Sequence, residues 1–435
     1  MKVSEEDTHA PRHKKITVAA LSLIATGCLI GILVPAGLGW DFGNFYNAGH
    51  LVATGHVANL YRADSTVPGE PGKGAMRFWG APLTAALFAP LAWLRPEAAL
   101  IVFKVQNVAA LFVALALLFR HGLTLAAHDR ATRASFPAVF ATMALLYQPF
   151  WTVFRVGGQT TPTVLLMLVI ALFCFTGSRL RTAALLLMGA TMIKPTLVVM
   201  LLFLACIGGT QVLGALLLAA TLLGLVSVAA LGLPIHVQFL RVAIEGSQLA
   251  RPWQFNSSLY VPVENLRLVA LTSTTSPRAA TALLGLVWVL KFLVVAMFVL
   301  IVRQSHRQTW PLPARRHFEF LMGICFWLLV SQTVWEHYLA LLFLPLAYIV
   351  ARRSMFPVRA RQLVAAIVFL SVGQNLILME FLWTHFDIQT VGALIAIGLV
   401  KAGPLLLTLI LLWHYRHALF ATYTNPAWAR VVPPS

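Results

Sequence analysis

The sequence predicts an all-α integral membrane protein, a polytopic bundle of about 11–13 transmembrane helices with two long outer loops. Of its 435 residues, 59% are hydrophobic and 11% charged, with a mean hydropathy of +0.82, far from the balance of a soluble domain. Apolar runs of roughly 17–25 residues recur along the whole chain, the length a helix needs to satisfy its backbone inside lipid. The period-two alternation of a membrane β-barrel is absent. The net charge of +18 is spread in short clusters between the apolar runs. That is the positive-inside pattern rather than a nucleic-acid footprint, so no nucleic-acid partner is expected.

In chain order, residues 1–15 read as a cytoplasmic tail whose basic residues precede the first apolar run, 16–38. This run is longer than a signal-peptide core and no small-residue cleavage site follows, so an uncleaved first span is expected. Further spans are expected near 98–119, 136–153, 162–177, 182–208, 211–232, 282–302, 318–334, 337–351, 362–380 and 390–414, with a cytoplasmic tail at 415–435. Residues 39–97, with an interfacial stretch near Ala81 to Leu94, and residues 233–281 are expected as the outer loops. Lys194-Pro195 interrupts 182–208, since proline donates no ladder hydrogen bond and lysine is costly in mid-membrane. Splitting that run into two short helices places both termini in the cytoplasm. It also gathers Lys14, Lys15, Arg120, Arg179, Arg303, Arg352 and Arg353 on that side. A multi-pass protein of a bacterial inner membrane, working on the outer face, is therefore expected.

Four cysteines, all in apolar segments and without CxxC spacing, indicate neither zinc nor a disulfide framework. No phosphate-cradling GxxxxGK[ST] and no HExxH is present. No cofactor or metal is expected.

Polar residues at membrane boundaries carry the candidate chemistry. Asp41 follows the first run among Phe42, Phe45, Tyr46 and Tyr61. A partly desolvated carboxylate there would be a better base, and the plainer reading is a solvated helix cap. Lys194 in apolar sequence is a candidate by default, with snorkelling to the interface as its plainer reading. Arg155 and Gln159 in FRVGGQTTP could hold a phosphate or simply cap a helix. His337, beside Trp335 and Glu336, could contact a phosphate oxygen or relay a proton, or serve a tight turn. In ARPWQFNSSL, Arg251, Trp253 and Asn256 offer charge, a stacking ring and an amide suited to a sugar.

Taken in order, these elements resemble glycosyltransferase family 87, the polyprenyl-phosphate-sugar-dependent membrane transferases of the GT-C class, which include mannosyltransferases. Asp41-Phe42 with Tyr46 and Ala48 resembles the family's Asp-Phe-x-x-x-Tyr-x-Ala element, and Gly55 with Leu60-Tyr61 its continuation. Phe78 to Leu83, Gly157-Gly158-Gln159, Lys194-Pro195, Asn256 to Leu259 and Trp335 to Tyr338 resemble later elements. Trp79-Gly80-Ala81, Thr160-Thr161 and Ser331-Gln332 depart from the usual residues.

The resemblance implies a GT-C bundle that moves one sugar, mannose or a similar hexose or pentose, from a polyprenyl-phosphate donor. The acceptor would be a hydroxyl on a glycolipid or glycan, and the transfer would invert the anomeric centre. It implies Asp41 as general base and His337 near the donor phosphate. Lys194, Arg155, Gln159 and Arg251 are further phosphate-binding candidates, and Tyr46, Tyr61, Trp253, Asn256, Trp335 and Glu336 candidates for acceptor or sugar. Membrane lipids are expected partners. A transporter or flippase of lipid-linked sugars, or a glycan ligase, would share the helix count or the donor. Transporters tend to show two related halves, and the unequal outer loops here do not match.

Overall fold

The structure, a computed structural model, describes residues 5–33, 40–62, 78–155, 158–248, 256–272, 277–373 and 391–420. Among them it is all α, with seventeen helices and no strand. Four helices, His13–Leu33, Pro96–His128, Pro195–Leu231 and Arg278–His306, are long and apolar enough to cross a membrane, and five shorter apolar helices accompany them. The chain is an all-α polytopic membrane protein.

The helices are α1 (Glu5–Leu33), α2 (Trp40–Ala53), α3 (Pro82–Phe88), α4 (Pro96–Leu125), α5 (Arg130–Leu146), α6 (Gln148–Arg155), α7 (Thr161–Thr176), α8 (Leu180–Ile193), α9 (Val198–Leu231), α10 (Leu233–Gln248), α11 (Val261–Thr272), α12 (Pro277–His306), α13 (Leu312–Val330), α14 (Phe343–Ala351), α15 (Val358–Gly373), α16 (Val391–His414) and α17 (Arg416–Phe420). They form two compact units, residues 25–116 with 151–249, and residues 1–24, 117–150 and 250–435.

In the first of these units α8 packs between α7 and α9, and α3 rests on α2, α8 and α9. The first expected loop, residues 39–97, is therefore partly helical among the described residues. Pro82 opens α3 at a position where a missing N–H costs nothing. The second expected loop also holds helices, α10 in this unit and α11 in the other. Along α10, Ile235 and Val242 are buried while Leu233, Leu240 and Ile244 are exposed, so its apolar residues are interrupted too often for a span-length hydropathy window.

Lys194 ends α8. Its backbone is extended, φ −125° and ψ 89°, as a residue before proline must be, and one 3-10 turn, Pro195–Leu197, leads into α9. The Met192 carbonyl, near the end of α8, accepts from the Ala81 N–H at 3.3 Å and from the Thr84 hydroxyl at 2.6 Å. The start of α3 thus caps the helix end that carries Lys194.

In the other unit, α12 packs against α11 and α13, these two also pack against α16, and α15 rests on α14 and α16. The run 136–153, expected as one span, is broken. Its first helix, α5, stops at Leu146, and Tyr147, with ψ 92°, turns the chain before α6. The buried Tyr147 hydroxyl then donates to the Leu339 carbonyl at 2.7 Å.

Candidate active site

Asp41 stands in the first turn of α2, where the unpaired N–H groups of a helix start favour a negative charge. α2 is fixed from behind. Phe42 is fully buried, with ring centroids 5.2 Å from Phe103 and 5.9 Å from Tyr46, and burial of such rings contributes about 1.5–3 kcal/mol each. The Tyr46 hydroxyl donates to the Leu94 carbonyl at 2.8 Å, and that of Tyr61 to the Gly80 carbonyl at 2.9 Å. Both tyrosines, expected at the acceptor, are buried here in packing that orients α2 and the 78–81 segment.

The second side chain of the site arrives on the turn between α6 and α7. Gly158 has φ +93°, and a Cβ placed on it would lie 2.6 Å from the Phe42 Cβ. Only glycine allows both that backbone conformation and that approach. Thr161 and Pro162 then start α7, and the Thr163 hydroxyl donates to Asn107 Oδ1 of α4 at 3.1 Å. Held so, buried Gln159 donates its side-chain amide to the Asp41 carboxylate. Gly158→Ala is expected to lower stability by about 1–3 kcal/mol, the cost of a forced backbone outlier. Moving Gln159 away from Asp41 should also cut turnover at least about tenfold. Thermal unfolding read beside activity checks both.

Lys194, 5% exposed, brings its positive charge within coulombic range of Asp41. Burial pushes the Asp41 carboxyl up to about 6, and the Lys194 ammonium and Gln159 amide pull against that rise. The arrangement is a half-buried carboxylate, held by an amide and steadied by a cation, with a proton affinity near neutrality. Such a group can take a proton from a hydroxyl at ordinary pH. Arg155 is the last residue of α6.

The other unit holds a second set of expected residues. Asn256 pairs with Trp335 in an isolated antiparallel bridge. Its Oδ1 accepts from the Val334 N–H at 2.8 Å and the Ser258 N–H at 3.0 Å, and its Nδ2 donates to the Gln332 carbonyl at 3.2 Å. The Ser258 hydroxyl donates to the Ser331 carbonyl at 2.7 Å. The expected sugar-binding amide of Asn256 therefore clamps two segments of backbone together. Glu336 forms a buried ion pair with Lys401 at 3.3 Å, and His337 is buried with its ring 4.7 Å from that of Tyr338. Trp335 is half-buried. Arg251 and Trp253 lie outside the described residues.

Lys401 was absent from the sequence expectations. It interrupts the apolar run 390–414 as Lys194 interrupts its own, and the same default applied to it would have found it.

A family model for glycosyltransferase family 87 matches residues 78–332, more than half of the chain. The chain belongs to glycosyltransferase family 87. It is a membrane glycosyltransferase, and so takes a sugar donor and an acceptor. Within the family match lie Gln159, Lys194, Asn256 and Gln332, while Asp41 precedes it and Trp335, Glu336 and His337 follow it. No curated protein and no solved structure matches the chain. Among the described residues no group of His, Cys, Asp and Glu is arranged to hold a metal ion.

Proposed function

We propose that this family 87 protein moves a single sugar, mannose or a similar hexose or pentose, from a polyprenyl-phosphate donor to an acceptor hydroxyl on the outer face of a bacterial inner membrane. The observation that carries the reading is the Asp41 carboxylate, hydrogen-bonded by Gln159 and facing buried Lys194, in a chain of this family. Asp41 takes the proton of the acceptor hydroxyl as its oxygen attacks the anomeric carbon. The bond from that carbon to the phosphate oxygen breaks on the opposite face, its electron pair leaves with the polyprenyl phosphate, and the anomeric centre inverts. The departing phosphate gains a negative charge rather than needing a proton, so cations serve it better than acids. Lys194 is proposed for that role as well as for keeping Asp41 ionised. On the resemblance alone, His337, Arg155 and Arg251 add charge at the phosphate, while Trp253 and Trp335 contribute aromatic faces for the acceptor or sugar.

The test is a panel of labelled polyprenyl-phosphate sugars and nucleotide sugars offered to purified protein with a glycolipid acceptor. Transfer from a polyprenyl-phosphate sugar, with inverted linkage in the product, is expected. Transfer from nucleotide sugars alone would overturn the donor assignment.

The rate should also follow the ionised fraction of Asp41. Because the acid form is inactive, kcat/KM is expected to be level above about pH 7 and to fall about tenfold per pH unit below about 6. A profile flat down to pH 4.5 or so, below the expected inflection, would remove Asp41 as the base.

A further inference from the structure

Thr84 lies in α3, a helix without a titratable side chain, and has no place in the proton transfer proposed above. Its side chain is fully buried, and its hydroxyl donates at 2.6 Å to the Met192 carbonyl, 108 residues away in the chain. The Ala81 N–H donates to the same carbonyl at 3.3 Å. Asp41, Thr84, Gln159, Met192 and Lys194 all belong to one unit.

Met192 is placed to take a donor from outside its helix. It stands in the last turn of α8, where carbonyls run out of helical partners, and Pro195, three residues on, has no N–H to offer. The donor is held firmly. A threonine has few rotamers, and the segment leading into α3 is anchored in turn by the Tyr61 hydroxyl on the Gly80 carbonyl at 2.9 Å. Lys194 follows Met192 by two residues, where the chain leaves the helix, so the seat of the helix end decides where its ammonium stands.

That seat matters to Asp41 because few other charges bear on it. The elements packed most closely against α2 are α3 and the 3-10 turns Val57–Asn59 and Ala89–Trp93. None of them carries a titratable side chain. On α2 itself, the Tyr46 hydroxyl is spent on the Leu94 carbonyl, and His50 lies nine residues from Asp41. Besides burial, the Lys194 ammonium and the Gln159 amide are what act on the Asp41 carboxyl. Gln159 is set by the turn at Gly158, whereas Lys194 is set by the end of α8.

We propose that Thr84 is a positioning residue, whose hydroxyl holds the end of α8 so that the Lys194 ammonium faces the Asp41 carboxylate. Thr84 acts only through Lys194 and touches neither donor nor acceptor. The catalytic consequence rests on the function proposed above, but the placement of the charge does not.

The test is an infrared titration of the Asp41 carboxyl in the full-length protein in nanodiscs, its band assigned by its absence from Asp41→Asn. Wild type is expected to titrate at about 6. Loss of a facing cation makes a carboxylate harder to ionise, so Lys194→Met should raise the midpoint by about one pH unit or more. Thr84→Val, which keeps the shape and removes the hydroxyl, should raise it by about half a pH unit or more. Thr84→Ser, which keeps the hydroxyl, should titrate as wild type. Adding Thr84→Val to Lys194→Met should move the midpoint no further.

A wild-type midpoint in folded Thr84→Val or in Lys194→Met would overturn the proposal, as would a Thr84→Val effect of equal size with Lys194 already removed. If Thr84→Val does not fold, Thr84→Ala removes the same hydroxyl without adding a methyl group, and the same outcomes apply to it. The acid limb of kcat/KM should move with the infrared midpoint. A midpoint that moves while the acid limb stays would remove Asp41 as the base and leave the role of Thr84 standing.

Discussion

Asp41→Asn should reduce kcat for sugar transfer by about 10²–10⁴-fold, the usual contribution of a positioned general base, while the affinity for donor stays close to that of wild type. The substitution keeps the shape of the side chain. Its carbonyl oxygen can still accept from the Gln159 amide, so α2 and the 158–160 turn need not move. What is lost is the ability to accept the acceptor's proton as the new bond forms. A fall in kcat and kcat/KM together, without a change in donor binding, is the signature of an interaction made only in the transition state. Residual transfer above about a tenth of the wild-type rate would place the base elsewhere.

The largest loss of stability is expected at Lys401→Met. Lys401 and Glu336 are both buried and their charges meet at 3.3 Å. Removing the ammonium leaves a carboxylate in a poorly solvating interior, which costs about 3–5 kcal/mol. The effect should spread along the chain, because Glu336 opens the 3-10 turn that continues through His337 to Leu342. Trp335, one residue earlier, is bridged to Asn256. Replacing both partners, Lys401→Met with Glu336→Gln, removes the stranded charge and should recover most of the loss in detergent thermal unfolding. A double mutant no more stable than Lys401→Met would show that the pair's electrostatics are not the cause.

The membrane class and the helix break at Lys194 could be read from the chain because both are local. A run of apolar residues, or a proline after a lysine, carries its meaning without knowledge of distant partners. Asp41, Gln159 and Lys194 were singled out for three separate reasons, and it was their fixed order, resembling one family, that suggested a common site. The structure adds what order alone does not contain, namely the fit of Gly158 against Phe42 that brings Gln159 to Asp41.

Other features were hidden because they depend on pairing across the chain. Nothing near Asn256 announces that its amide will be consumed by the backbone of residues 332 and 334. Nothing near Lys401 points to a carboxylate 65 residues earlier. The turn at Tyr147 had a visible signal in Pro149, two residues on, which favours a helix start over a continuous span. Hydropathy averaged over a span-length window passed across it.

Inside α9, Gly209 leaves helical geometry, with φ +73° and ψ −171°, and this kink bears on how bilayer thickness reaches the proposed catalytic residues. As an unbroken rod, the 34 residues of α9 would be ~51 Å long, far more than the ~30 Å of a hydrocarbon core. Gly209, at φ +73°, divides it into a leg of ~16 Å that begins beside Lys194 and a leg of ~33 Å that matches the core. The longer leg can tilt to suit a thinner or thicker membrane while the shorter one keeps its seat against α8. Hydrophobic mismatch therefore meets this kink before it meets Lys194, and turnover should vary less with lipid chain length than a straight helix of this length would impose.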